Sequence, residues 1–293
     1  MTPLAVLLVL SAAVAHAGWN VIAHGVSRIG MPFLWLGAVS SVLVWIGVVP
    51  FTGGLGDADP GGFVLGVAAS GVLHVLYMLV LQRGYRVGRL STVYATARGT
   101  GPTISVVLAI VLLGERPHWI ALAGGLLVLV GVVAVGLADR GTTSTELPRR
   151  RIDPGLVAGL LTGVAIAAYT IWDAYVVRDL GVAPVAFMVG CTAVEVVFFG
   201  LALGSRRREV LPVLRQHWPR VLAFGVLSPL SYILVLVAIG MAPVAPVALV
   251  APMREVSVVL VSLFGVLVLR EGRALARVGA AVVVLGGIAL LAL

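Results

Sequence analysis

The sequence predicts an all-α integral membrane protein with ten transmembrane helices, arranged as two inverted five-helix repeats. Three observations predict this fold: an apolar composition, ten apolar runs of spanning length, and a duplication whose halves carry opposite loop charges. Of the 293 residues, 60% are hydrophobic and 11% are charged, and the mean hydropathy is +1.13. A transmembrane helix needs about 20 apolar residues. Ten crossings therefore take most of the chain and leave no room for a soluble catalytic domain.

The ten runs are separated by charged residues, glycine and proline. They are residues 4–25, 32–51, 63–82, 91–113, 118–137, 155–177, 184–203, 218–239, 245–268 and 274–292. The first run resembles a signal peptide, because small residues at 15 and 17 precede Gly18. No basic residue precedes the run, however, and polar residues continue past that point. We therefore expect it to remain as the first span.

A polar stretch at 139–153 divides the chain into a first repeat, 1–138, and a second repeat, 154–293. A shift of 156 residues superimposes three rare matches: Gly84 on Gly240, Arg98 on Arg254 and Glu115 on Glu271. A shift of 153 residues lays Trp19 and Asn20 on Trp172 and Asp173. Matches between charged residues are informative in so apolar a chain, and they indicate a tandem duplication.

Because five helices is an odd number, the second repeat is expected to be inverted in the membrane. The loop charges agree with this expectation. If Arg220 and Arg277, near the start of the eighth and tenth spans, are counted with the loops before them, sixteen of the twenty arginines follow odd-numbered spans and two follow even-numbered spans. The other two, Arg98 and Arg254, lie further inside spans. The positive-inside rule then puts the Arg-rich loops in the cytoplasm and both termini outside.

Several ionisable side chains lie inside the predicted spans, where each costs at least about 2.5–3.5 kcal/mol on insertion scales. They are Arg98, Asp173, Glu195, Arg254 and Glu255, with His16, His24 and His74 beside them. Two interpretations of the arginines remain open. They form a clamp for a carboxylate or phosphate, or each is neutralised by Asp173, Glu195 or Glu255 and holds helices together.

Polar and aromatic residues recur at helical spacing on the same spans. His16, Asn20 and His24 share one face of the first span, next to Trp19, and Tyr169 and Asp173 share a face of the sixth. Further candidates for a solute site are His74, Tyr77, Tyr94 and Tyr232. These groups line a cavity or hydrogen-bond between helices. Asp173, Glu195 and Glu255 are candidates for proton coupling.

Other features of the sequence restrict the function or favour a structural role. The chain has no lysine, which excludes the lysine of a nucleotide-binding P-loop. Cys191 is the single cysteine, soluble catalytic motifs are absent, and we expect no metal, cofactor or nucleic acid as a ligand and no enzymatic activity. Glu115 and Glu271 precede the fifth and tenth spans, where a carboxylate interacts favourably with the N–H groups at a helix N-terminus. The small-residue stripe Gly155, Gly159 and Gly163 suits close helix packing or, less directly, a homodimer.

The chain resembles the EamA-type transporters of the drug/metabolite transporter superfamily over essentially its full length, with two EamA units. The segments that carry the resemblance are His16–Asn20, Tyr94–Pro102, Leu113–Glu115, Thr162-Gly163, Ile166–Asp173, Pro252–Glu255 and Arg270-Glu271. The resemblance implies a central cavity lined by helices one, three, four, six, eight and nine. Well-known members are drawn with both termini in the cytoplasm, opposite to the orientation that the loop charges predict.

These observations together predict a secondary transporter or exporter of a small polar metabolite, anionic or zwitterionic, that works by alternating access in the cell membrane. Its partners would be the solute and membrane lipid. Two alternatives remain: a flippase or membrane-embedded enzyme that acts on a lipid-linked substrate, and a subunit that transports nothing.

Overall fold

The computed structural model describes residues 1–24, 26, 29–88, 90–138, 154–267 and 274–292. The linker 139–153, Glu271 and the arginines at 28, 89, 140, 149–151, 270 and 273 lie outside the described residues. Eleven α-helices are described: α1 Pro3–His24, α2 Met31–Ile46, α3 Pro60–Val87, α4 Leu90–Leu112, α5 Trp119–Ala138, α6 Pro154–Arg178, α7 Pro184–Ala202, α8 Val210–Gly240, α9 Val247–Arg254, α10 Val256–Leu267 and α11 Ala274–Ala292.

The prediction of an all-α fold is confirmed for the described part of the chain. Six segments are long and apolar enough to cross a membrane: Pro3–Ala23, Pro60–Val87, Thr92–Leu112, Pro154–Arg178, Pro184–Ala202 and Gly204–Gly240. Shorter apolar helices are Met31–Ile46, Trp119–Ala134 and Gly279–Leu291.

The predicted ninth span, 245–268, differs from the structure because it is divided into α9 and α10 at Glu255. Pro252 lies inside α9 and lacks the N–H that an unbroken helix would use. The amide of Glu255 bonds to the Pro252 carbonyl, three residues back, at 3.0 Å. In a continuous α-helix it would bond to the Ala251 carbonyl, four residues back. The break therefore falls on Glu255, directly after Arg254.

The two halves of the chain are interleaved. The first helix of each half packs against the third helix of the other, so that α1 contacts α8 and α6 contacts α3. The last helices, α5 and α11, pack on each other, and a Cβ added to Gly124 would lie 2.7 Å from the Gly287 carbonyl oxygen. Glycine permits this backbone approach.

The glycine stripe of α6 is buried against α4. A Cβ on Gly163 would lie 2.0 Å from the Thr100 hydroxyl, and one on Gly159 would lie 2.6 Å from the Thr96 Cβ. The stripe is therefore a packing surface within the bundle, as the simpler interpretation of the sequence predicts.

Candidate functional site

Arg98, on α4, is neutralised inside the protein. Its Nη1 donates to both carboxylate oxygens of Glu255, at 3.2 and 3.3 Å, and its Nη2 lies 3.3 Å from Nε2 of His16. The guanidinium also lies 5.3 Å from the ring centre of Tyr94. Arg98 is 12% exposed and Glu255 is 1% exposed. The geometry matches the interpretation in which Arg98 is neutralised by a carboxylate and holds helices together. The carboxylate is that of Glu255.

Arg254, on α9, has a different environment. Its Nη2 donates to the Tyr169 hydroxyl at 3.2 Å, and its guanidinium carbon lies 5.5 Å from the ring centre of Tyr232. Within the part of the chain that the structure describes, no carboxylate oxygen lies within 4.0 Å of this guanidinium. Its Nε is buried and has no hydrogen-bond partner there. Arg254 thus keeps a positive charge and a free donor.

Asp173 is completely buried and does not pair with either arginine. Its carboxylate accepts from the Ser70 hydroxyl at 2.6 Å and from the Tyr232 hydroxyl at 2.5 Å. Nε2 of His74 lies 4.0 Å from the same carboxylate. Among the described residues, no ion pair within 4.0 Å joins Asp173 to Arg98 or Arg254, and the contacts of its carboxylate are with Ser70, Tyr232 and His74.

An aromatic cluster lies between Asp173 and Arg254. The His74 ring stacks on Tyr169 with centres 4.3 Å apart, and Tyr77 meets Tyr169 edge to face at 5.7 Å. Tyr232 meets His74 edge to face at 5.8 Å. The Tyr232 hydroxyl donates to Asp173, and the Tyr232 ring lies beside the Arg254 guanidinium. Tyr232 therefore contacts both the buried carboxylate and the guanidinium.

The polar face of α1 is only partly directed at this site. His16 contacts Arg98, whereas the Asn20 amide donates to the backbone carbonyl of His16 at 2.7 Å on its own helix. The Trp19 ring lies between His16 and Phe224, and its buried Nε1 has no partner among the described residues.

Glu195, on α7, lies close enough to His74 to interact electrostatically. It makes no ion pair within 4.0 Å among the described residues. Glu195 is therefore a neighbour of His74 and is not the ion-pair partner of either arginine among the described residues.

The structure brings most of the predicted residues into two neighbouring groups. One group is His16, Tyr94, Arg98 and Glu255, and the other is His74, Tyr77, Tyr169, Asp173, Tyr232 and Arg254. One polar residue of the site is not singled out by the sequence: Ser70, whose hydroxyl donates to Asp173. Ser70 precedes His74 by four residues, so the two side chains share one face of α3, and this spacing could have identified Ser70 from the sequence. Thr170, next to Tyr169 on the polar face of α6, has a buried hydroxyl with no partner in the described chain.

Glu115 does cap a helix, but the helix is not the one that its position in the sequence suggests. Its two carboxylate oxygens accept from the backbone N–H groups of Val247 and Ala248, at 2.7 and 2.8 Å, in the first turn of α9. At the neighbouring α5, the amide of Ile120 donates to the His118 ring at 3.4 Å. Glu115 therefore caps α9 of the other repeat and not α5, the helix that follows it in the sequence.

Comparison with known proteins gives three findings. The profile of the EamA-like transporter family matches residues 3–137 and again residues 153–293. Two curated proteins from two strains of Dehalococcoides mccartyi, each named a putative manganese efflux pump, are 31% identical to this chain over 90 residues. The match covers 30% of this chain and 46% of each relative, so the chain spans about half the length of the curated relatives it matches.

A solved crystal structure is similar to the whole chain. It superimposes with a TM-score of 0.73, covers 98% of this chain and 95% of its own, and is 21% identical in sequence. At that identity the similarity establishes a shared fold.

Proposed function

Since the chain belongs to the EamA-like transporter family, we propose that it is a secondary transporter, and not an enzyme, that moves a small anionic or zwitterionic metabolite by alternating access. The proposal includes ten membrane spans, with α9 and α10 forming one interrupted span, in two inverted repeats joined by the linker 139–153. It places the Arg-rich loops in the cytoplasm, because most arginines follow odd-numbered spans.

One observation carries the proposal: Arg254 is an intramembrane cation without a carboxylate partner in the described chain. An unpaired charge inside a membrane protein is costly and marks a functional site. A planar guanidinium with a free Nε suits a carboxylate or phosphate, which accepts parallel hydrogen bonds. We assign Arg254 as the group that binds the anion.

The surrounding side chains support a compact solute. Tyr169 and Tyr232 hold the guanidinium, and His74 and Tyr77 extend the aromatic cluster. The interrupted helix is a further argument, because transporters commonly place a binding site where a spanning helix is broken at mid-membrane. The break after Arg254 fits that arrangement.

Coupling to a proton gradient is assigned to the carboxylates near the aromatic cluster. Asp173 and Glu195 both lie close to His74, and Asp173 also holds Tyr232. Glu255, in contrast, is engaged by Arg98. We propose Asp173 as the main proton-coupling residue and Glu195 as its neighbour.

The test is a thermal-shift screen of the purified protein against amino acids, organic acids, phosphorylated sugars, cationic drugs and Mn²⁺. A ligand stabilises the state that it binds. We expect anionic or zwitterionic compounds to raise the unfolding temperature and the Arg254→Gln variant to lose that shift. The matched control is Arg206→Gln, which removes an exposed arginine paired with Glu209 at the surface.

Two results would contradict the proposal. Shifts with cationic drugs that survive Arg254→Gln would direct attention to Asp173 and Glu195 as cation-binding groups. A shift with Mn²⁺ would favour the activity named for the Dehalococcoides mccartyi relatives. The described residues include no group of three or more His, Cys, Asp or Glu side chains that could hold a metal ion.

A further inference from the structure

At one end of the bundle, the connections between helices are bonded to each other. The connection from α2 to α3 meets the connection from α6 to α7, where the Asp57 amide donates to the Gly181 carbonyl at 2.9 Å and the Ala183 amide to the Leu55 carbonyl at 3.1 Å. A Cβ on Gly56 would lie 2.1 Å from the Gly181 oxygen, so glycine is required for this approach. We call the end formed by residues 47–59, 113–118, 179–183 and 241–246 the tied end.

Glu115 joins the first repeat to α9 at the tied end. It bonds two N–H groups of the first turn of α9, at Val247 and Ala248, and its side chain is 7% exposed. α9 has eight residues, and Arg254 is the last of them. At about 1.5 Å per residue, the cap and the proposed anion-binding group lie at opposite ends of a helix about 12 Å long.

Arg178, at the end of α6, completes the connection. Its Nη1 donates to Glu115 at 2.6 Å, its Nε to the carbonyl of Ile239 at 2.9 Å, and its Nη2 to the carbonyl of Ala245 at 3.2 Å. These carbonyls lie at the end of α8 and in the α8–α9 connection. One guanidinium thus holds three segments of the second repeat to a carboxylate of the first.

We propose that the ion pair between Glu115 and Arg178 is a latch that closes the tied end and sets the position of Arg254. The inference rests on the proposed alternating access. For the site to open toward this end, contacts between the repeats must separate there, and the latch is a charged contact that joins the two repeats at this end. Glu115 and Arg178 are positioning residues, because they act on the solute through α9.

The position of the pair distinguishes a latch from a permanent fastening. Arg98 and Glu255 join helices within spans, and the carboxylate is 1% exposed. Glu115 and Arg178 join connections at the end of the bundle, where they are 7% and 12% exposed. Water that enters as this end separates can solvate both charges, which lowers the cost of breaking the pair.

A single reporter cysteine tests the latch without any solute. In a Cys191→Ala background, Ala248→Cys places a thiol beneath the latch at a position that is 1% exposed. The protein is held in nanodiscs, so that both faces are accessible, and treated with a water-soluble maleimide. We expect Glu115→Gln and Arg178→Gln each to raise the labelling rate at least fivefold, and Arg206→Gln, which breaks an exposed ion pair, to leave it unchanged.

A second variant separates opening of the whole end from fraying of α9 alone. Leu55→Cys and Ala183→Cys flank the Gly56–Val182 bridge, where the Ala183 amide donates to the Leu55 carbonyl. Opposed positions of an antiparallel pair lie about 4.5–5.5 Å apart at Cα, which suits a disulfide. This disulfide touches neither Glu115 nor α9. Its oxidation should return labelling in the Glu115→Gln background to the unmutated rate, and with the latch intact it should slow labelling further.

The outcomes are distinct from those of the solute screen. Equal labelling in all variants, or raised labelling that the disulfide does not suppress, overturns the latch. If the latch variants accumulate poorly, the effect of the disulfide in the otherwise unmutated protein decides the question. A failure of Arg254→Gln to affect solute binding would instead overturn the proposed anion site and leave the labelling result standing.

Discussion

Arg98 and Arg254 occupy equivalent positions in the two repeats, yet one is neutralised and the other is not. The shift of 156 residues that superimposes them also places Gly99 on Glu255. The second repeat therefore supplies a carboxylate to Arg98 of the first, at 3.2 Å. The first repeat has a glycine at the matching position and can return no carboxylate to Arg254.

The neighbouring contacts are more nearly symmetrical. The shift of 153 residues places His16 on Tyr169, and each contacts the arginine of its own half, at 3.3 and 3.2 Å. The comparison teaches that the duplication preserves the scaffold around two cations, while one substitution leaves a single positive charge available. A pair of identical clamps is not required to bind one anion.

The largest expected effect comes from making Arg98 resemble Arg254. Glu255→Gln leaves Arg98 without its carboxylate, and removal of one partner of a buried ion pair costs about 3–5 kcal/mol. We expect the free energy of unfolding to fall by that amount, and added small anions to restore part of it by occupying Arg98. Glu209→Gln, at an exposed pair, is the control for loss of a carboxylate. A stability equal to that of the control would show that the Arg98 pair contributes nothing.

The next effect concerns the support of Arg254. Asp173→Asn weakens the hydrogen bonds from Ser70 and Tyr232, and an impaired buried acceptor costs about 2 kcal/mol. Chemical denaturation should detect this loss, together with weaker anion binding in the thermal-shift assay. Ser70→Ala should have a smaller effect in the same direction.

Ser41→Ala is the matched control for that variant, since the Ser41 hydroxyl bonds the Gly37 carbonyl of its own helix. If Ser70→Ala and Ser41→Ala weaken anion binding equally, Asp173 does not support Arg254.

A third substitution makes Arg254 resemble Arg98. Gly99→Glu offers a carboxylate at the position equivalent to Glu255, so we expect the affinity for anionic solutes to fall at least tenfold, or about 1.4 kcal/mol. A Cβ at this position would lie 2.9 Å from a Val133 methyl group, so Gly99→Ala measures the steric part of the effect. Equal loss in both variants would refute the electrostatic explanation.

The smallest effect is expected for Tyr169→Phe. The phenol accepts one hydrogen bond from Arg254, and loss of such a bond costs about 1 kcal/mol. Thermal denaturation should show this loss, while the anion affinity changes less than threefold, because the guanidinium keeps its charge. A complete loss of binding would instead make Tyr169 a direct ligand of the solute.

The sequence predicted the parts of the site that depend on periodicity and composition. Spacing of one helical turn placed Tyr169 and Asp173 on one face of α6, and the apolar runs predicted the helices that carry them. The duplication identified Arg98 and Arg254 as an equivalent pair. The family resemblance is confirmed over both halves of the chain.

The partners of these residues could not be derived in the same way. Glu255 pairs with Arg98 across 157 positions of sequence, and Glu115 caps a helix 132 positions away. Periodicity shows which face of a helix is polar, but a partner depends on which helices become neighbours. The interleaving of the two halves decided both contacts, and a single sequence carries no direct signal for it.

That interleaving has a consequence for synthesis of the protein. The first half leaves the ribosome with Arg98 unpaired, because Glu255 lies 157 positions further along the chain. Helices α1 and α3 likewise lack their packing partners α8 and α6 until the second half is inserted. The two halves therefore complete one another late in biogenesis, and a chain truncated after residue 138 is expected to be a substrate for membrane quality control.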